Sequence, residues 1–326
     1  MFGKIIGTGK YVPHKRVTNF DLSEHVETDH EWIVERTGIE CRHMMETEST
    51  SDMASLAAQA ALEDAGVDAS EIDMIIVSTV SADALLPNMA CQVQSRIGAG
   101  NATCFDLNTA CTGFIMAYNT VQSFIHAGLV ETALIIGAEG LSKIVDWEDR
   151  GTCILFGDGA GAAVIRKDPS AVFDTVMHAD GTKGDALSCG VSYASRTNVF
   201  LDQKEGKAAY KDYVEMDGRA VFGFAIRQVP QGINELLEKI GLTVGDIDCF
   251  LLHQANKRIV ESIAKRLGVD MAKVPMNLME YGNTSSASIP ILLDEARKAG
   301  TVKEGDKVIM SGFGAGLTWA ATYIQL

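Results

Sequence analysis

The strongest constraint on this chain of 326 residues is that it repeats itself. The segment ALEDAGVDASEIDMIIVST (61–79) lies over LLEKIGLTVGDIDCFLLHQ (236–254) without a gap. Leu62 meets Leu237, Glu63 meets Glu238, Gly66 meets Gly241, and Ile72-Asp73 meets Ile247-Asp248. A second pair follows in the same order: GDGAGAAV (157–164) and GFGAGLTW (312–319) share G-x-G-A-G. Two matches in order predict a duplicated βαβ-rich unit, with halves near 1–170 and 171–326. Apolar runs such as IDMIIVSTV (72–80), TALIIGAEG (132–140), IDCFLLHQ (247–254) and DKVIMSGFG (306–314) alternate with amphipathic stretches such as MASLAAQAALEDAG (53–66). Strands that read as unbroken apolar runs are covered on both faces, so the expected class is a layered α/β fold.

The paired glycine-rich motifs invite a nucleotide-loop reading. A dinucleotide fingerprint needs a strand before the glycines and a helix after them. Here AAVI and TWAATYI follow, and both read as strands, so close backbone packing at a hairpin is expected instead. Composition narrows the remaining classes. A formal charge of −15 argues against a general nucleic-acid binder and leaves any acidic partner dependent on a local basic patch. The seven cysteines are scattered, with no CxxC and no zinc-type spacing, so neither a metal site nor a disulfide framework is expected. The N-terminal MFGKIIGTGKYVPHKRV lacks a signal-type apolar core, and no run reaches the roughly 18–20 residues that span a bilayer. These features predict a soluble cytoplasmic protein with reduced thiols.

Three segments carry residues capable of chemistry. NTACTGF (108–114) places Cys111 at the start of an apolar helix through Phe114, Ile115, Tyr118, Val121 and Ile125. Unpaired N–H groups and the positive dipole end at such a position favour a thiolate. Free cysteine is also a common buried residue, so the segment alone leaves nucleophile and core filler open. His253 ends the strand IDCFLL, where a chain leaving the core is placed to meet a ligand. A hydrogen-bonded structural histidine is the alternative there. Asn283, in YGNTSSASIP (281–290), stands in a turn before a helix, where an Asx turn or N-cap is the ordinary role.

Taken together, NTACTGF, HQANKRI, YGNTSSASIP and GFGAGLTW, in that order, resemble the β-ketoacyl-acyl-carrier-protein synthase III family, as does DHEWIVERTGIECRH (29–43). These are the initiating condensing enzymes of bacterial fatty-acid synthesis, and the resemblance covers essentially the whole chain. It implies the thiolase-like fold, five αβαβα layers from two duplicated halves, the first carrying the nucleophilic cysteine and the second the histidine and asparagine. It also implies a homodimer and a triad of Cys111, His253 and Asn283. Elongating relatives carry a second histidine where Asn283 stands, so this asparagine points to the initiating branch.

By the same resemblance, an acyl-CoA primer acylates Cys111, CoA leaves, and malonyl-acyl-carrier protein enters. Decarboxylation then yields a carbanion that attacks the thioester, with no metal or redox cofactor. The acyl oxygen would be held by backbone N–H groups of Cys111 and Ala315, and the malonyl thioester oxygen by His253 and Asn283. Thr28, Trp32, Arg36, Arg150, Gly218 and Asn256 would bind CoA, since an indole and a guanidinium can sandwich adenine while arginines neutralise phosphate. Arg219, Gln254, Ala255, Asn256, Lys257, Arg258 and Lys265, with Arg266 nearby, would meet the acidic carrier protein. Leu86 stands before a proline where many acetyl-preferring members have phenylalanine, in a segment that approaches the partner subunit's acyl pocket. Primer choice is therefore open. The rival readings are a hydroxymethylglutaryl-CoA synthase-like or secondary-metabolite acyltransferase of the same fold, a Cys-His-Asn thiol hydrolase, and a non-catalytic scaffold.

Overall fold

The computed structural model describes residues 1–190 and 211–326. Two main sheets carry the fold. The first joins β1 (Phe2–Tyr11), β4 (Met74–Ser78), β5 (Thr103–Leu107), β6 (Thr132–Glu139) and β7 (Gly159–Asp168) in the order β1-β7-β6-β4-β5. The second joins β8 (Phe173–Ala179), β11 (Cys249–Leu252), β12 (Lys307–Gly314) and β13 (Thr318–Gln325) in the order β11-β12-β13-β8. Two short ribbons flank them, β2 (Lys15–Thr18) with β3 (Cys41–Met44), and β9 (Leu187–Ser188) with β10 (Glu215–Met216).

The two sheets share one connectivity. In the first, β4 runs parallel to β6, and β7 runs antiparallel to both β6 and β1. In the second, β11 runs parallel to β12, and β13 runs antiparallel to both β12 and β8. The gapless repeat has the same local geometry in both copies. Helix α3 (Thr50–Ala65) ends on Gly66 at φ 62°, and α7 (Gly218–Ile240) ends on Gly241 at φ 70°. Both values lie in the left-handed region that glycine tolerates. A 3-10 turn closed by a capping box follows each, Asp68 with Glu71 and Thr243 with Asp246, and then β4 and β11 begin.

Five layers result. Helices α3 and α4 (Met89–Ile97) cover the outer face of the first sheet, and α7 and α8 (Lys257–Leu267) cover the second. Between the sheets lie α5 (Gly113–His126) and α10 (Ser288–Lys298), each touching both. The alternation of side chains along a strand explains the unbroken apolar runs. Met74 and Ile76 of β4 point into the central core, whereas Ile75 and Val77 join the core under α3. On β11, Cys249 and Leu251 face the centre while Phe250 and Leu252 face α7 and α8.

The two glycine motifs differ in detail. Residues 312–319 do form the hairpin between β12 and β13, but 157–164 lead into and open β7 rather than turning a hairpin. The close packing expected there is present across elements: a Cβ on Gly161 would sit 2.7 Å from the Ile291 nitrogen of α10. Short helices α1 (Asn19–Ser23), α2 (His30–Thr37), α6 (Arg150–Cys153) and α9 (Leu278–Tyr281) fill the connections around the site. Among the described residues, no helix is long and apolar enough to cross a membrane.

Candidate active site

Strand β5 leads into a 3-10 turn at Ala110–Thr112, and α5 continues from it. Ala110 adopts φ 48°, a strained value for a residue with a Cβ, and this bend sets Cys111 at the head of the central helix. Neither Thr109 nor Thr112 caps these N-termini with its side chain. Cys111 is buried at 8% exposure. The end of β12 comes against it so closely that a Cβ on Gly314 would sit 2.7 Å from the Cys111 nitrogen. Only glycine permits that approach, which brings the half-buried Ala315 into the turn beside the cysteine.

His253 directly follows β11 and Asn283 follows α9; both are buried. The imidazole meets the Phe313 ring edge-on at 5.5 Å, and its Nδ1 lies 2.7 Å from Ser288 Oγ. That hydroxyl also accepts the Gln254 N–H at 3.4 Å; with its own proton given to Nδ1, the ring proton sits on Nε2. Burial pushes the His253 pKa down to about 3, so the ring is neutral. Asn283 Oδ1 accepts the Ser285 N–H at 2.8 Å, which commits the oxygen and leaves the amide N–H₂ as the free end. Its backbone is pinned from both sides: Asn283 N–H donates to Leu155 O at 2.8 Å, and Gly157 N–H donates to Asn283 O at 3.1 Å.

Cys111, His253 and Asn283 line one cavity of about 590 Å³, together with Phe313 and Gly314. Trp32, Arg36, Gly218, Arg219, Ala255, Asn256 and Arg258 line the same cavity. One expectation needs correction. Burial pushes the Cys111 thiol up to about 12, outweighing the lowering by Ser285 and by its own backbone. The resting sulfur is therefore a thiol, because desolvation exceeds what the helix end supplies.

Around Trp32, two guanidiniums reach the indole: Arg36 at 4.6 Å and Arg150 at 4.7 Å from the ring centroid. Arg150 thus stacks on the indole itself, and an adenine sandwiched there would displace it. Thr28 Oγ1 is buried without a partner, so it is free to bond a ligand. Asn256 caps α8 through Oδ1 on Arg258 N–H at 2.8 Å and donates Nδ2–H to Arg36 O at 2.9 Å, tying α8 to α2.

The basic face is narrower than the sequence predicts. Lys257, Arg258, Lys265 and Arg219 are exposed, and Arg258 sits 5.9 Å from the Phe222 ring centroid. Gln254 is not available to a partner, because it is 1% exposed and its amide bonds Leu252 O and Asn277 N–H. Ala255 is buried against the cavity rather than on the outer face. Leu86 is 81% exposed on the loop after β4 and does not line the cavity of its own chain.

Sequence reasoning passed over Ser285, Ser286, Ser288 and Glu139. The three serines stood in view in NTSSAS as small residues opening a helix. Glu139 carried a sharper signal, since it is the lone charged residue in the apolar run TALIIGAEG.

A thiol at the head of a buried central helix, faced by a neutral histidine and an asparagine between two matched sheets, describes an acyl-transferring enzyme of the thiolase-fold class. Family models described as 3-oxoacyl-[acyl-carrier-protein] synthase III and its C-terminal part match residues 105–181 and 237–326. The β-ketoacyl-[acyl-carrier-protein] synthase III of Clostridium acetobutylicum is 49% identical over 99% of this chain and 98% of its own. Among solved structures, synthase III from Thermus thermophilus is 42% identical at a TM-score of 0.92, covering 99% of this chain and 98% of that one. The Aquifex aeolicus enzyme is 41% identical at a TM-score of 0.91, covering 99% and 100%. The chain belongs to the β-ketoacyl-acyl-carrier-protein synthase III family.

Proposed function

We propose that this enzyme condenses an acyl-CoA primer with malonyl-acyl-carrier protein, releasing CO₂ and CoA, to begin fatty-acid chains. The observation that carries the reading is the shared cavity. One space holds Cys111, His253 and Asn283 and reaches Trp32 with Arg36 and Arg219 with Arg258.

In the first half-reaction, Cys111 Sγ bonds the acyl carbon, the carbon–sulfur bond to CoA breaks, and the thiol proton passes to the departing CoA sulfur. The N–H groups of Cys111 and Ala315 hold the developing oxyanion. In the second, the malonyl carboxylate leaves as CO₂ and its electron pair moves onto the thioester oxygen. Nε2–H of His253 and the Asn283 amide stabilise that charge. The carbanion then attacks the acyl carbon, the Cys111 carbon–sulfur bond breaks, and the leaving sulfur takes a proton from solvent. No step changes an oxidation state through a redox group or calls for a metal.

Trp32, Arg36, Thr28 and Arg150 hold the CoA end, with Gly218 and Asn256 along the tunnel. Arg219, Arg258, Lys257 and Lys265 attract the acidic carrier. The half-buried edge strand β5 and the exposed pair Leu85-Leu86 support a homodimer in which Leu86 reaches the partner's primer pocket. The matching sheet connectivities support duplication, with halves 1–170 and 171–326. The test is to incubate the protein with a panel of acyl-CoAs and find which acyl mass appears on Cys111. Product must then form with malonyl-carrier protein and not with malonyl-CoA alone. Condensation with acyl-CoA acceptors instead would move the enzyme to the rival acyltransferase class.

A further inference from the structure

Glu139, the last residue of β6, is fully buried beneath the site. Its Oε2 accepts three hydrogen bonds from the loop after β4: Ser81 Oγ–H at 2.6 Å, Val80 N–H at 3.1 Å and Thr79 Oγ1–H at 3.3 Å. Each hydroxyl also accepts a backbone N–H, Gly140 N–H on Ser81 Oγ and Ser81 N–H on Thr79 Oγ1, which leaves its own proton for Oε2. The other oxygen, Oε1, lies 2.9 Å from Ser286 Oγ, which is also 2.9 Å from Ser78 O. A carbonyl only accepts, and Ser286 has one proton to donate. If that proton goes to Ser78 O, the bond between Ser286 and Glu139 closes only when Oε1 carries a proton of its own.

We propose that Glu139 works as a neutral carboxylic acid, a positioning residue whose proton completes the hold on the Ser285–Ser286 turn and keeps negative charge away from the acyl-carrying sulfur. This rests on the functional reading above. The turn is the one that Asn283 anchors through Ser285, and the Ser285 side chain lies within hydrogen-bonding reach of both Cys111 and Glu139. β6 can approach the turn because Gly137 has no Cβ, where one would sit 2.3 Å from Ser286 O.

Among the described residues, the hydrogen-bonded surroundings give Glu139 no counter-charge. Cys111 is a thiol on the turn before α5. Asp158, just before β7, binds the Met45 and Ser142 N–H groups and the Ser142 hydroxyl. Lys143, on the following turn, is held by Thr50, Ser81 O and Asp83. The loop after β4 and the Ser285–Ser286 turn contribute only hydroxyl and backbone groups. Ionising Glu139 would place an unbalanced anion beside a sulfur that must leave as a thiolate.

Infrared spectroscopy of the resting protein at neutral pH, with glutamate carboxyls labelled with carbon-13, tests this directly. The expected result is a label-shifted carboxylic-acid C=O band that is lost in E139Q; label-shifted carboxylate bands alone would overturn the proposal. The labelled wild type decides the matter even if a variant fails to fold. In the activity arm, E139L should slow condensation about tenfold or more by orphaning its partners. E139Q, which keeps one acceptor and gains a neutral donor, should restore most of it. An E139Q as slow as E139L, or slowed by the roughly 10²–10⁴ of a lost general base, would also overturn it. Should the wild type take up no acyl mass on Cys111, the functional reading fails while the infrared result still stands.

Discussion

Gly314→Ala tests whether the hairpin turn builds the oxyanion site. The added methyl would lie 2.7 Å from the Cys111 nitrogen and 3.3 Å from its Cα and Cβ. The nearest contact falls roughly 0.7 Å short of the 3.4 Å at which ordinary contact begins, and the obstacle is backbone rather than a side chain that can rotate. Either the head of α5 or the turn must yield by that amount. A misplacement of about 1 Å near reacting atoms costs on the order of 10²-fold, so acylation of Cys111 should slow by about that factor. Overpacking should also cost about 1–3 kcal/mol of stability. The assay is the rate at which acyl mass appears on Cys111, with a thermal melt as the control for folding. Gly312→Ala is the internal comparison, because its Cβ would come no nearer than 3.2 Å to the His253 Cβ, with the Cys111 oxygen and Ile115 Cδ1 each at 3.7 Å. It should act mainly on condensation. A folded G314A protein that acylates within about threefold of wild type would refute the placement of the oxyanion site.

Asn283→Ala should slow condensation by about 10²–10³ while leaving acylation by acyl-CoA much less affected, as single-turnover acylation and full turnover will separate. Arg258→Glu should reduce reaction with malonyl-carrier protein and flatten its salt dependence, since less attraction is left to screen. If it slows acyl-CoA acylation equally, the docking role is wrong. His253 ties stability to acid. Its pKa falls from 6.5 to about 3 on burial, so the unfolded chain binds the extra proton between those values. The stability contributed by the neutral ring is complete above about 6.5 and is lost as pH falls towards 3, by up to a few kcal/mol. Denaturant melts of H253Q should show a shallower fall across that window.

Much of the architecture was legible because it follows from burial. Strands covered on both faces must be apolar throughout, and a duplication leaves its register in Gly66 and Gly241, which end matching helices. The three candidate residues were legible as types at the ends of elements, where strands and turns leave the core. What the chain did not disclose was how neighbouring groups would set their states. The desolvation of Cys111 depends on β12 closing over it through Gly314, some 200 residues later in sequence, and no local pattern records that. Gln254 reads as part of a polar run, yet its amide is taken up by Leu252 and Asn277. The tautomer of His253 rests on Ser288, whose sequence context shows only a small residue.

The charge states, rather than the list of residues, separate a condensing enzyme from a thiol hydrolase. A Cys-His hydrolase works from a thiolate beside an imidazolium, which requires a thiol pKa well below that of the histidine. Here the order is reversed by many units: burial raises Cys111 to about 12 and lowers His253 to about 3. Burial therefore disfavours an ion pair at rest. With the Ser288 proton on Nδ1, the ring offers a donor at Nε2 and no free basic nitrogen to activate water. A neutral donor beside the free Asn283 amide suits a reaction whose charge develops on a substrate oxygen, and decarboxylation to an enolate is such a reaction. Water activation gains nothing from this pair. The same desolvation that suppresses the resting thiolate would also shield the proposed thioester on Cys111 from hydrolysis until the second substrate arrives.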